Sequence, residues 1–148
     1  RLDMYTKVEL KDFNIYEFLQ EHKKDLITVV TGSWYPENHT GSYLYRTIYE
    51  NRITKLRQKD FESIKSSNRV MLEAILDACQ QIKLQDKQLF VLSPTQLGFK
   101  KAERVNGPNA DIIKQILGVC REKNIEICTI YISYGGEFIR EFLKSPFH

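Results

Sequence analysis

Glu73 is the acid whose surroundings most invite a chemical reading, because it sits inside the apolar stretch SSNRVMLEAIL. A carboxylate on such a helix can hold a hard divalent cation, and metal-bound water is the usual nucleophile in metal-assisted hydrolysis. A working centre needs several carboxylates converging on one point. Glu73, Asp111, Glu137 and Glu141 are the set from which one would have to be assembled. At about 100° per residue, however, Glu73 shares a stripe with Asp77, Gln80 and Gln81. Met71, Ile75, Ala78 and Ile82 form an apolar stripe beside it. The pattern predicts a buried helix whose one polar stripe faces water, with Glu73 on the wet side.

The other reactive side chains offer less. Cys79, Cys120 and Cys128 are odd in number and lie in apolar stretches, which predicts buried, reduced thiols in a cytoplasmic or nuclear protein. His22 and His39 occur in polar stretches and His148 is terminal, so no spacing suggests zinc. No nucleophile elbow surrounds a serine, and no glycine-rich phosphate loop opens a helix. Neither a metal nor a cofactor is expected. Asn38-His39-Thr40 satisfies the glycosylation sequon, but no secretion signal precedes it, so it is read as unmodified.

The elements that must position these residues follow from hydrophobic period and punctuation. Asp12 is expected to open a short helix through Leu19. LITVVTGSW, KQLFVLS and IEICTIYISY are continuous, β-branched apolar runs of buried-strand type. SYLYRTIYENRITKLRQKDF alternates as a hairpin turning near Glu50 and Asn51, with Leu44, Ile48, Ile53 and Leu56 inward. No glycine marks this turn, so its register stays open. Ser66, Ser67 and Asn68 are each good caps for a helix to about Ile82. A short helical piece to Lys101, a helix from about Pro108 and a last helix after Gly135-Gly136 complete the order. The glycine pair is expected to supply the unusual φ/ψ of a strand-to-helix turn.

With 148 residues, 42% hydrophobic and 28% charged, the chain suits one domain with a real core. The net charge of +3 permits nucleic-acid contact without demanding it. No apolar run nears the roughly 18 residues of a membrane span, so no membrane is expected.

Three segments in shared order carry a family resemblance: VVTGS on the first strand, SSNRVMLEAI opening the first long helix, and LFVLSPTQ on the next strand. From Leu26 to Lys144 the chain resembles ribonuclease H. The family places an acid in a Thr-Asp-Gly-Ser strand, another in an Asn-Arg-x-Glu-Leu helix start, a third in a Thr-Asp-Ser-Gln strand end and a fourth on the last helix. The resemblance implies an α/β fold with a five-stranded mixed sheet flanked by helices. It implies a domain over 26–148, preceded by an extension over 1–25 with a short extra helix.

Carried over by residue, the acids are missing. Thr31 stands at the first position and Met71 at the second, with Pro94 or Thr95 at the third. Arg140 is the first candidate for the fourth, and Glu141 takes its place if the loop length differs. Such a set implies a domain that does not act as an enzyme. Its expected role is a protein-interaction or scaffolding module, with Trp34, Tyr35, Tyr43 and Tyr45 as candidate anchors for a protein partner. The alternative is a non-catalytic RNA or RNA/DNA-hybrid binder using Asn68, Gln96, Lys100, Lys101 and Arg104. A nuclease with relocated acids is the third reading.

Overall fold

The computed structural model describes residues 5–99 and 107–147. Those residues form an α/β layered fold with seven strands and four helices. The strands are β1 (Tyr5–Glu9), β2 (Leu26–Tyr35), β3 (Thr40–Tyr49), β4 (Arg52–Ile53), β5 (Arg57–Phe61), β6 (Gln88–Ser93) and β7 (Glu126–Ser133). The helices are α1 (Ile15–Glu21), α2 (Ser67–Gln81), α3 (Ala110–Glu122) and α4 (Gly136–Lys144). The sheet runs β1-β7-β6-β2-β3-β4, and β5 also pairs with β3. β2, β6, β7 and β1 are mutually parallel, whereas β3 is antiparallel to β2, β4 and β5.

Alternation along the strands sorts their side chains into two cores. Val30, Tyr43, Tyr45 and Leu89 pack against α2 and α3 on one face. Ile27, Val29, Ile48 and Phe90 pack on the other with Ile15 and Leu19 of α1 and Phe142 of α4. Leu44, Ile53 and Leu56 lie against this second core as their alternation requires. Two glycines let α2 press against the sheet. A Cβ on Gly41 would lie 2.9 Å from Val70 Cγ2, and one on Gly32 would lie 3.1 Å from Met71 Cγ. Among the described residues, no helix is long and apolar enough to cross a membrane.

The five-stranded expectation is corrected at both margins. Residues 5–9 form an edge strand beside β7, with Tyr5 opposite Thr129 and Val8 opposite Ile132. YTKVE has only local β propensity, and its partner strand lies far along the chain. Ile15 and Leu19 of α1 are core residues. The third strand of the meander is broken into β4 and β5. The turn at Glu50 and Asn51 forms with both residues at positive φ, 50° and 63°, without the glycine such turns prefer.

Local signals were also displaced. Asn14 rather than Asp12 caps α1, its side chain accepting from the Tyr16 and Glu17 amides. Ser66 is the acting cap of α2, accepting from the Arg69 amide at 3.1 Å. At the Gly135-Gly136 turn, Tyr134 takes the left-handed conformation, with φ 62°. Gly135 is needed for room instead, because a Cβ there would meet Ile132 Cγ2 at 2.6 Å. The helical piece expected up to Lys101 lies partly outside the described residues.

Candidate functional site

The C-terminal ends of β2 and β6 and the N-terminal ends of α2 and α4 meet at one mouth of the sheet. Ser33 follows Gly32 at the end of β2, and Arg140 Nη2 donates to Ser33 Oγ at 3.1 Å. Met71 lies under Gly32. Thr95, just past β6, points its hydroxyl at Met71 Sδ, 3.7 Å away, and donates to Asn68 Oδ1 at 3.3 Å. Asn68 Nδ2 in turn donates to the Gln96 carbonyl at 3.1 Å. A Cβ on Gly136 would lie 4.0 Å from Pro94 Cβ, so α4 starts beside the end of β6. The fold therefore gathers the positions of Thr31, Met71, Pro94 and Arg140 around this mouth.

The donor set there is poor for a hard cation. Thr31 and Met71 are buried, 3% and 0% exposed. Thr31 shares its face of β2 with Ser33 by the two-residue period. On one face of β2 the Arg140 guanidinium meets the Ser33 hydroxyl, and on the other the Thr95 hydroxyl meets the Met71 thioether; neither pair offers the carboxylate oxygens that a hard cation requires. Among the described residues, no group of three or more His, Cys, Asp or Glu is placed to hold a metal. The four acids considered for relocation do not converge. Glu73 and Asp111 each bond Arg69, at 3.2 and 2.9 Å. Asp111 is held below its ordinary value first by that Arg69 hydrogen bond. Glu137 and Glu141 are exposed on α4.

Compared with known proteins, the chain matches no family model and no curated protein. Its site must be read from its own geometry.

The expectation that Glu73 and Asp77 lie on an open wet stripe is corrected. Gln80 and Gln81 are exposed, but both acids are half-buried and engaged. Asp77 accepts a short hydrogen bond from the Tyr45 hydroxyl and pairs with Arg57 at 3.4 Å. β3 and β5 lie over this side of α2, and no spacing within the helix could reveal them. Burial raises the Tyr45 phenol well above its ordinary value of 10.0, and the Asp77 carboxylate adds to the rise. Tyr43 is raised in the same direction, again first by burial.

A folded-state value above the unfolded one means that this contribution is complete below about pH 10 and fades as pH climbs past it. Tyr45→Phe is therefore expected to lose roughly 1–3 kcal/mol at neutral pH, the worth of a hydrogen bond to a charged group. Its stability should also fall less steeply than wild type above pH 10. Denaturant unfolding across that range checks both.

The aromatic anchors divide. Tyr43 and Tyr45 are 5% and 2% exposed and belong to the core, so they offer a partner nothing. Trp34 is tied down by donation from Nε1 to the Ile64 carbonyl at 2.9 Å. Tyr35 alone of the four stands out, at 54% exposure. Sequence reading passed over Tyr134, which is 85% exposed at the end of β7. Its position just before the Gly pair was the available signal. Of the proposed nucleic-acid contacts, Asn68 is used internally and Gln96 is exposed. Lys100, Lys101 and Arg104 lie outside the described residues.

The three cysteines are free and buried. Cys120 Sγ lies 3.7 Å from Cys79 Sγ, between α3 and α2. The hydrogen bond with Cys120 and then burial push the Cys79 thiol up.

Proposed function

We propose that the chain is a ribonuclease H-like domain without nuclease activity, serving as a protein-interaction or scaffolding module. The observation that supports this reading is the chemistry at the mouth, where Arg140 donates to Ser33, Met71 lies under Gly32 and α4 starts beside Pro94, with no carboxylate in any of these contacts. Support for the fold comes from the order of elements: an antiparallel meander, then two parallel strands reached through α2 and α3, then a closing helix. Support for a contact role comes from Tyr35 and Tyr134. Both are exposed at the C-terminal rim of the parallel strands, and exposed tyrosines are common anchors of interfaces.

Two measurements test it. A labelled RNA/DNA hybrid incubated with the protein and Mg²⁺ or Mn²⁺ should stay intact. Cleavage that disappears on Glu137→Ala or Glu141→Ala would overturn the reading. In native extract, a protein retained by wild type should be lost with Tyr35→Ala/Tyr134→Ala.

A non-catalytic RNA or hybrid binder is the second reading, favoured by the exposed cations Arg52, Lys55, Arg57 and Lys59 along β4 and β5. Gel shifts at two salt concentrations separate the two, because phosphate-led binding weakens steeply with salt.

A further inference from the structure

At the far end of α2 from the mouth, a cleft of about 520 Å³ lies between β3, the turn after β4 and the residues following the helix. It accompanies the broken third strand. β3 pairs with β4 at Ile48 and Tyr49 and with β5 from Gly41 to Tyr45. Between those ladders Thr54 is fastened to Thr47, whose carbonyl accepts from the Thr54 amide at 2.9 Å and whose amide donates to Thr54 Oγ1 at 2.9 Å.

The lining has two chemistries. Arg52, Lys55, Arg57 and Lys83 stand around it, and no carboxylate lines it. Among the described residues, only Arg57 of these four has a carboxylate partner, Asp77. Tyr49, half-buried, supplies one flat ring to the lining, and Tyr45 and Leu26 form the buried floor behind it. Lys87 sits 5.0 Å over the Tyr49 ring and adds positive charge beside the cleft. Cations on an edge strand also deter unwanted pairing. That explanation covers Arg57 and Lys59 but not Lys83, which comes from the tail of α2 and lines the same space.

We propose that this cleft binds a base-plus-phosphate group. Arg52, Lys55 and Lys83 hold the phosphate, and the base lies against the Tyr49 ring. Charged donors recognise phosphate oxygens, and aromatic rings accept bases whatever their identity. The volume falls within the roughly 300–1,000 Å³ of small-ligand sites. The same group is available as a free mononucleotide or as one unit of a single strand.

The experiment is calorimetric titration of the whole chain with adenosine monophosphate, adenosine, inorganic phosphate and a short oligoadenylate. The monophosphate should bind saturably, with adenosine and phosphate each weaker by roughly tenfold or more. Arg52→Glu/Lys83→Glu changes two exposed side chains and should keep the wild-type circular dichroism while losing roughly tenfold or more in affinity. Oligoadenylate binding tighter than the monophosphate identifies a strand as the source, and equal or weaker binding identifies the free nucleotide. The proposal fails if neither phosphorylated probe binds saturably, if adenosine matches the monophosphate, or if affinity survives Arg52→Glu/Lys83→Glu.

Discussion

Thr31→Asp is expected to lower stability by roughly 3–5 kcal/mol near neutral pH, the cost of an uncompensated buried charge. Thr31 is 3% exposed in the middle of the sheet, opposite Leu44. One acid placed there does not make a metal centre, because among the described residues no group of three or more His, Cys, Asp or Glu is placed to hold a metal. On the same face, Arg140 already donates to Ser33 and Arg46 to the Leu143 and Thr54 carbonyls. Burial would raise the new carboxyl above its ordinary value of about 4. The penalty should then be nearly absent below about pH 4 and grow as pH rises through the shifted value. Urea denaturation at acid and neutral pH measures it. A variant as stable as wild type at neutral pH and further stabilised by Mn²⁺ would mean that the mouth gathers cations.

Met71→Ala should cost about 2–5 kcal/mol, the range for emptying a fully buried site. Met71 has no exposed surface, and its side chain fills the space between the Gly32 backbone and Thr95. Gly32 has no side chain to fill the void, and the neighbouring strand is fixed by its ladder to β3. Met71→Leu, close in volume, should lose less than about 1.5 kcal/mol. Thermal or denaturant unfolding of the pair separates packing from any special role of the sulfur. Equal losses in the two variants would refute the cavity account.

Elements whose signal was self-contained were legible in the sequence. β2, β6 and β7 are uninterrupted apolar runs buried from both faces, and α2 carries its cap and its apolar stripes within one stretch. That the segments holding Met71, Pro94 and Arg140 approach the end of β2 could be suggested only through the order of motifs, since they are far apart along the chain.

What escaped depended on distant partners. β1 takes its strand identity from β7, across more than a hundred intervening positions. Asp77 looked like a solvated acid until Tyr45 and Arg57 were brought over it. The basic run around Arg52 to Lys59 was visible, but Lys83, which turns it into a walled cleft, was not. Nor could composition tell which of four aromatic residues would be swallowed by the core.

The first strand has one more effect. β1 covers the amides and carbonyls along one side of β7, a long and mostly buried strand. Removing residues 1–9 would leave that row of hydrogen-bonding groups unsatisfied at the border of an otherwise finished sheet. Such a border is a template for another chain. Proteolytic nicking near Leu10 would then seed aggregates at the cost of little more core packing than Val8 supplies.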